Sequence, residues 1–128
     1  MSYDLYFWRQ TKVLVENPDA IIDLLSSDES VPGVATFPRV RAREVLRRFF
    51  PDIVDGDFQL DWEGADSYFQ VSFGHANEKD AHLIIVNCGF ELLKSPDVMS
   101  RIVEACGTLG CALFDPQSGE RYEQQNPT

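Results

Sequence analysis

The first regular pattern in the chain runs from Tyr3 to Arg9, where Tyr3, Leu5 and Phe7 alternate with Asp4, Tyr6 and Trp8. Apolar groups in both sets of positions suit a strand covered on both faces. A helix start follows. Asn17 can cap exposed amides, Pro18 has its φ preset for the first turn, Asp19 complements the dipole, and Ile21, Ile22, Leu24 and Leu25 supply an apolar face. SSDESVPGVATFP is rich in turn formers and reads as a loop. From Arg39 to Phe50 the spacing of Val45, Leu46, Phe49 and Phe50 predicts a second helix, which Pro51 and Asp52 end.

Three strands are expected between Phe58 and Cys88. Phe58, Leu60 and Trp62 alternate with Gln59, Asp61 and Glu63, and Phe69, Val71 and Phe73 alternate with Tyr68, Gln70 and Ser72, so each of these strands has a dry and a wet face. HLIIVNC, from His82 to Cys88, is apolar on both faces and predicts a central strand, with the polar GHANEKDA as the hairpin loop before it. A third helix is announced by Ser95 as cap, Pro96 in the first turn and Asp97 near the positive end. Its stripe is Val98, Met99, Ile102, Val103 and Cys106, and Gly107 is placed to stop it in a left-handed conformation. GCALF and ERYEQ, joined by DPQSG, read as a closing antiparallel pair, and the tail 124–128 is expected to fray.

The predicted order is β, α, α, β, β, β, α, β, β. Short connections between neighbouring strands favour antiparallel pairing, and the helices must cover the sheet to bury their stripes. The expected fold is therefore α+β, with a mainly antiparallel sheet of about five to six strands packed by about three helices. A length of 128 residues fits a single domain spanning 1–128, and 44% apolar with 12% aromatic residues is enough to form a core.

Charge changes the picture. Residues 1–51 carry seven Lys/Arg and seven Asp/Glu, whereas 52–128 carry four and fourteen, so the whole net charge of −10 arises in the second part. Such a field repels nucleic acids and anionic membranes and speeds encounter with basic proteins. No basic segment followed by an apolar one opens the chain, and no apolar run approaches the roughly 18 to 20 residues that span a bilayer, so a cytoplasmic location without membrane association is expected. Cys88, Cys106 and Cys111 form no metal spacing, and their odd number fits free, buried thiols in a reducing compartment. Arg39, Arg41, Arg43, Arg47 and Arg48 on the second helix have no aromatic platform beside them and are expected to form a solvated or acid-paired face.

The densest chemistry lies in DIVDGDFQLDWEGAD, Asp52 to Asp66, with six carboxylates and no cation. As a calcium loop starting at Asp55 it fails, because the sixth position is Leu60, where a sharp turn needs glycine, and the segment alternates like a strand. As catalytic acids, Asp61 and Glu63 would share one strand face at roughly 6.5 to 7 Å between Cα atoms. A general acid, however, needs a pKa raised by burial, and this face reads as wet. Of the possible imidazole bases, His82 begins a central strand and His75 follows a strand end, positions typical of structural histidines. No nucleophile, phosphate-binding or zinc motif accompanies them, so no cofactor and no metal are expected. Asp55, Asp57, Asp61, Glu63 and Asp66, flanked by Tyr68 and Gln70, then form either a protein-binding surface or a solubilising one. A small hydrolase or transferase built on Asp61, Glu63 and His75 is the rival from another class, and a regulatory interaction domain is a third reading.

MSYDLYFW at the start, a helix ending FFPD, strands around SYFQVSFG and HLIIVNCG, a helix beginning SPDV, and the closing GCALFDPQSGERY together resemble small bacterial immunity-type proteins associated with polymorphic toxins. The likeness covers most of the chain, and its most specific piece is LFDPQSGERY, similar to a strand and turn near the end of such proteins. It implies a cytoplasmic, non-enzymatic protein that binds a cognate toxin domain and blocks its active site or substrate entry. No catalytic residue is carried over from it.

Overall fold

A computed structural model describes residues 2–56, 59–64, 67–89, 96–115 and 120–122. Its centre is an antiparallel sheet in the order β4-β5-β6-β7-β1-β8-β9, formed by β1 (Ser2–Gln10), β4 (Val54–Asp55), β5 (Leu60–Glu63), β6 (Tyr68–His75), β7 (Asp80–Gly89), β8 (Ala112–Asp115) and β9 (Glu120–Tyr122). Two further strands lie off this path: β2 (Val34–Ala35) pairs with β1, and β3 (Phe37–Pro38) pairs with β7. The helices are α1 (Pro18–Ser26), α2 (Arg39–Phe49) and α3 (Pro96–Thr108). No described helix is long and apolar enough to cross a membrane.

The fold is α+β with antiparallel pairing, as the alternation predicts, but with more strands than expected. The additions are β2, β3 and β4, each two residues long. They sit in segments that read as a loop or a helix end, and two residues are too short for alternation to register. β7, the most apolar run, lies between β6 and β1 at the centre of the sheet.

Each face of the sheet has its own core. Leu5, Phe7, Phe69, Val71, Ile84, Val86 and Cys88 meet Val45 and Leu46 of α2 and Ile102, Ala105 and Cys106 of α3. On the other face Trp8, Leu83 and Phe114 meet Ile21, Ile22 and Leu25 of the shorter α1. Burying each of the Val, Leu, Ile and Phe side chains among these contributes about 1.5 to 3 kcal/mol before entropy is counted. Leu24, expected on the apolar face of α1, is 36% exposed at the edge of that stripe.

Helix ends follow local chemistry. Asn17 Oδ1 accepts from Ala20 N–H at 2.9 Å, closing the start of α1 as predicted. Ser95 lies outside the described residues. The stop of α3 is corrected from Gly107 to Gly110, whose φ is 78°. Cys111 N–H donates to Cys106 O at 3.0 Å and Gly110 N–H to Gly107 O at 2.9 Å, so Gly110 is the left-handed residue of a Schellman motif. Asp28 has the same role after α1, with φ 61°, and its Oδ1 accepts from His75 N–H at 2.8 Å.

Between β6 and β7 the register shifts at Gly74 and His75. This bulge brings His82 under the end of α1, where Nε2 donates to Leu25 O at 2.9 Å in a buried setting. Gly74 lies below the same carbonyl. A Cβ there would stand 2.5 Å from Leu25 O, so helix and strand approach this closely because residue 74 has no side chain.

Candidate functional site

Strand register decides which acidic residues meet. Asp61 of β5 lies opposite Gln70 of β6, and Glu63 opposite Tyr68. Residues directly opposite point to the same side of a sheet, and Phe69 and Val71 belong to the core under α2 and α3, so these four side chains occupy the other face. α1 packs on that face through Leu83, Trp8 and Phe114, toward the opposite ends of the strands, and leaves the Tyr68 end of β6 to solvent. A groove of about 440 Å³ results, lined by Asp52, Val54, Asp61, Glu63, Tyr68 and Gln70 with parts of Trp62 and Phe69.

Aromatic rings pack closely beneath the floor of the groove. Trp62 stacks on Phe69 at 5.3 Å, and Phe50 meets both rings edge-on at 5.6 and 5.0 Å. Arg101 of α3 lies over the Phe50 ring at 4.3 Å and donates to the Phe49 carbonyl at the end of α2, tying the two helices to the cluster. Tyr68, 46% exposed, leans across β7, where the space a Cβ of Gly89 would fill is 2.7 Å from its ring. An aromatic wall therefore stands beside the carboxylates, an arrangement suited to anchoring a partner.

Four of the residues singled out in the sequence, Asp61, Glu63, Tyr68 and Gln70, are brought together here. Asp57 and Asp66 lie outside the described residues. Asp55 is a correction: it does not point into free water beside the others. Its carboxylate is an ion-pair partner of Arg43 and stands 3.6 Å from Arg47, leaving its side chain 25% exposed. The cause is the short step from α2 to β4, which lays Asp55 against the last turns of the helix. Arg43 also donates to Gly56 O at 2.9 Å. The acid-paired arginine face expected for α2 thus exists at Arg43 and Arg47.

Asp52, Val54, Asp4 and Asn87 enter the picture from the structure. Asp52 belongs to the acidic stretch but reads as a helix stop. Asp4 and Asn87 join through register, since Asp4 lies opposite Asn87 and Asn87 opposite Gln70. A period-two pattern gives the face of a residue but not its cross-strand neighbour.

The rival catalytic set does not assemble. His75 stands five residues along β6 from Gln70, roughly 16 Å away by strand rise. Its Nε2 is 3.3 Å from an Arg39 guanidinium nitrogen, in a different hollow shared with Asp28 and Glu78. Among the described residues no histidine, cysteine or cation lines the acidic groove, and no three His, Cys, Asp or Glu side chains gather as a metal site. Cys88, Cys106 and Cys111 are all buried, and burial, with Cys111 as a second cause, pushes the Cys106 thiol well above its ordinary value. They behave as core residues.

Compared with protein-family models, curated proteins and solved structures, the chain matches none.

Proposed function

We propose that the chain is a non-enzymatic binding protein of the immunity type, which acts in the cytoplasm and holds a cognate toxin domain against its acidic groove. The observation that carries this reading is a concave face, set over a packed aromatic cluster, where Asp52, Asp61 and Glu63 lie beside a half-exposed tyrosine, with no described imidazole or cation among them. Asp61 is half-buried and Glu63 exposed, and solvated carboxylates on an open face are well equipped to meet a basic cleft. A toxin domain that acts on nucleic acids or nucleotides presents such a cleft, and its basic rim would meet the carboxylates of the groove in place of phosphates. The position of His75 argues against the hydrolase or transferase built on Asp61, Glu63 and His75.

The test is association kinetics with the toxin domain encoded beside this gene. Asp61→Lys and Glu63→Lys together should slow association about tenfold or more at low salt and flatten its salt dependence, since steering by charge acts mainly on the on-rate. Unchanged rates and salt slope would reduce the groove to a solubility feature. Absence of binding by the wild-type chain would overturn the proposal.

A further inference from the structure

One row of side chains crosses four strands on the face that carries α1. Asp4 of β1 lies opposite Asn87 of β7, Asn87 opposite Gln70 of β6, and Gln70 opposite Asp61 of β5. The row reads carboxylate, carboxamide, carboxamide, carboxylate. With neighbouring strands about 4.8 Å apart, the backbones of the two acids stand roughly 14 Å from each other. Asn87 Nδ2 donates to Asp4 Oδ1 at 2.7 Å, and the Tyr6 hydroxyl lies 3.5 Å from Asp4 Oδ2, so this end is held in place. At the other end Gln59 Nε2 donates to Asp61 Oδ1 at 3.2 Å. Gln70 is exposed between them, and the other three are half-buried.

We infer that this row is a docking register for a protein segment that brings two cationic side chains roughly 14 Å apart, the strand-spacing distance above, one to each terminal carboxylate. Groups between them hydrogen-bond to Asn87 and Gln70. The inference rests on the binding-protein reading and extends it to Asp4 and Asn87. Charge complementarity selects the occupant. Among strand residues of this face whose side chains are described, none is a cation. Nucleic acid and anionic lipid would be repelled, and carboxylates this far apart cannot share one metal ion, whose oxygen ligands lie about 2.0 to 2.6 Å from it. Amides in the middle add direction, because each offers both a donor and an acceptor between the charges, Asn87 being held by its bond to Asp4. A helix with basic residues eight positions apart spans about 12 Å, and side-chain reach closes the remainder.

The experiment uses the full chain, labelled for amide NMR, and two alanine-rich helical peptides. Each peptide carries two arginines, at spacing i, i+8 or i, i+3. The wide-spaced peptide should shift the amides of Asp4, Asn87, Gln70 and Asp61 and bind about threefold more tightly than the narrow one, as engagement of one more exposed ion pair implies. Asp4→Asn and Asp61→Asn, both close in shape to the native side chain, should each abolish that preference while leaving the dispersed spectrum of a folded chain. Equal binding of the two peptides, or shifts centred away from the row, overturns the inference, as does self-association of the chain through this face. The toxin domain run in parallel separates the two readings. If it binds and depends on Asp61 and Glu63 but not on Asp4, the register fails and the binding function stands. If the peptides discriminate but the toxin domain does not bind, the register stands and the immunity function fails.

Discussion

At the scale of single residues, the closest constraint is the contact between α1 and the sheet at Gly74. Replacing Gly74 by alanine puts a Cβ 2.5 Å from the Leu25 carbonyl, which already accepts from buried His82. The helix would have to lift, so Gly74→Ala should cost about 1 to 3 kcal/mol, read as a lower urea midpoint with an unchanged slope. Tyr6 makes a second constraint. Burial first, and then the Asp4 carboxylate with its hydrogen bond, raise the phenol above its ordinary value of 10.0. A phenol that holds its proton more firmly in the folded chain gives stability that is complete below the unfolded value and lost as pH climbs through the folded one. The native chain should therefore lose stability above about pH 10 more steeply than Tyr6→Phe, as unfolding curves across that range would show. Neither constraint is legible in sequence. Gly74 looks like any glycine at a strand end, and Tyr6 reads as one more aromatic in a covered strand.

At the scale of elements, local chemistry was readable wherever a few consecutive residues decide the outcome. Asn17 and Pro18 start α1 as expected, the alternation of β5 and β6 gives their dry and wet faces, and Asp80 to Gly89 forms the central strand. The end of α3 shows the limit of such reading: Gly107 is the expected stop, but the left-handed turn falls at Gly110, after which Cys111 is buried. Two-residue strands escaped for a related reason, since tertiary pairing rather than sequence pattern creates them. The aromatic cluster of Phe50, Trp62 and Phe69 joins α2, β5 and β6, three elements that were each legible but whose meeting was not. Phe69→Ala, at a fully buried position, should cost about 3 to 5 kcal/mol in chemical denaturation. Because Phe69 also underlies the groove, the same substitution should weaken partner binding under conditions where the chain remains folded.

For the whole molecule, charge is divided across the sheet in a way the split at residue 52 only partly follows, since Asp97 and Glu104 of α3 share the face of α2. α2 holds five arginines on one side, whereas Asp4, Asp61 and Glu63 lie on the other. Acids concentrate in the second part of the chain, but their order along it carries no sign that Asp55 is held by Arg43 or that Asp4, from the first strand, shares a row with Asp61 across the sheet. The ion pair has another consequence. β4 is only two residues long and ends the sheet path, so Arg43 and Arg47, by gripping Asp55, hold a short cover over the backbone of β5. Unpaired strand borders invite other chains to add on. Arg43→Ala should leave the core intact yet promote aggregation on warming below the unfolding midpoint, measured as light scattering that precedes loss of the near-ultraviolet signal. The arginine helix would then be what keeps this sheet from growing.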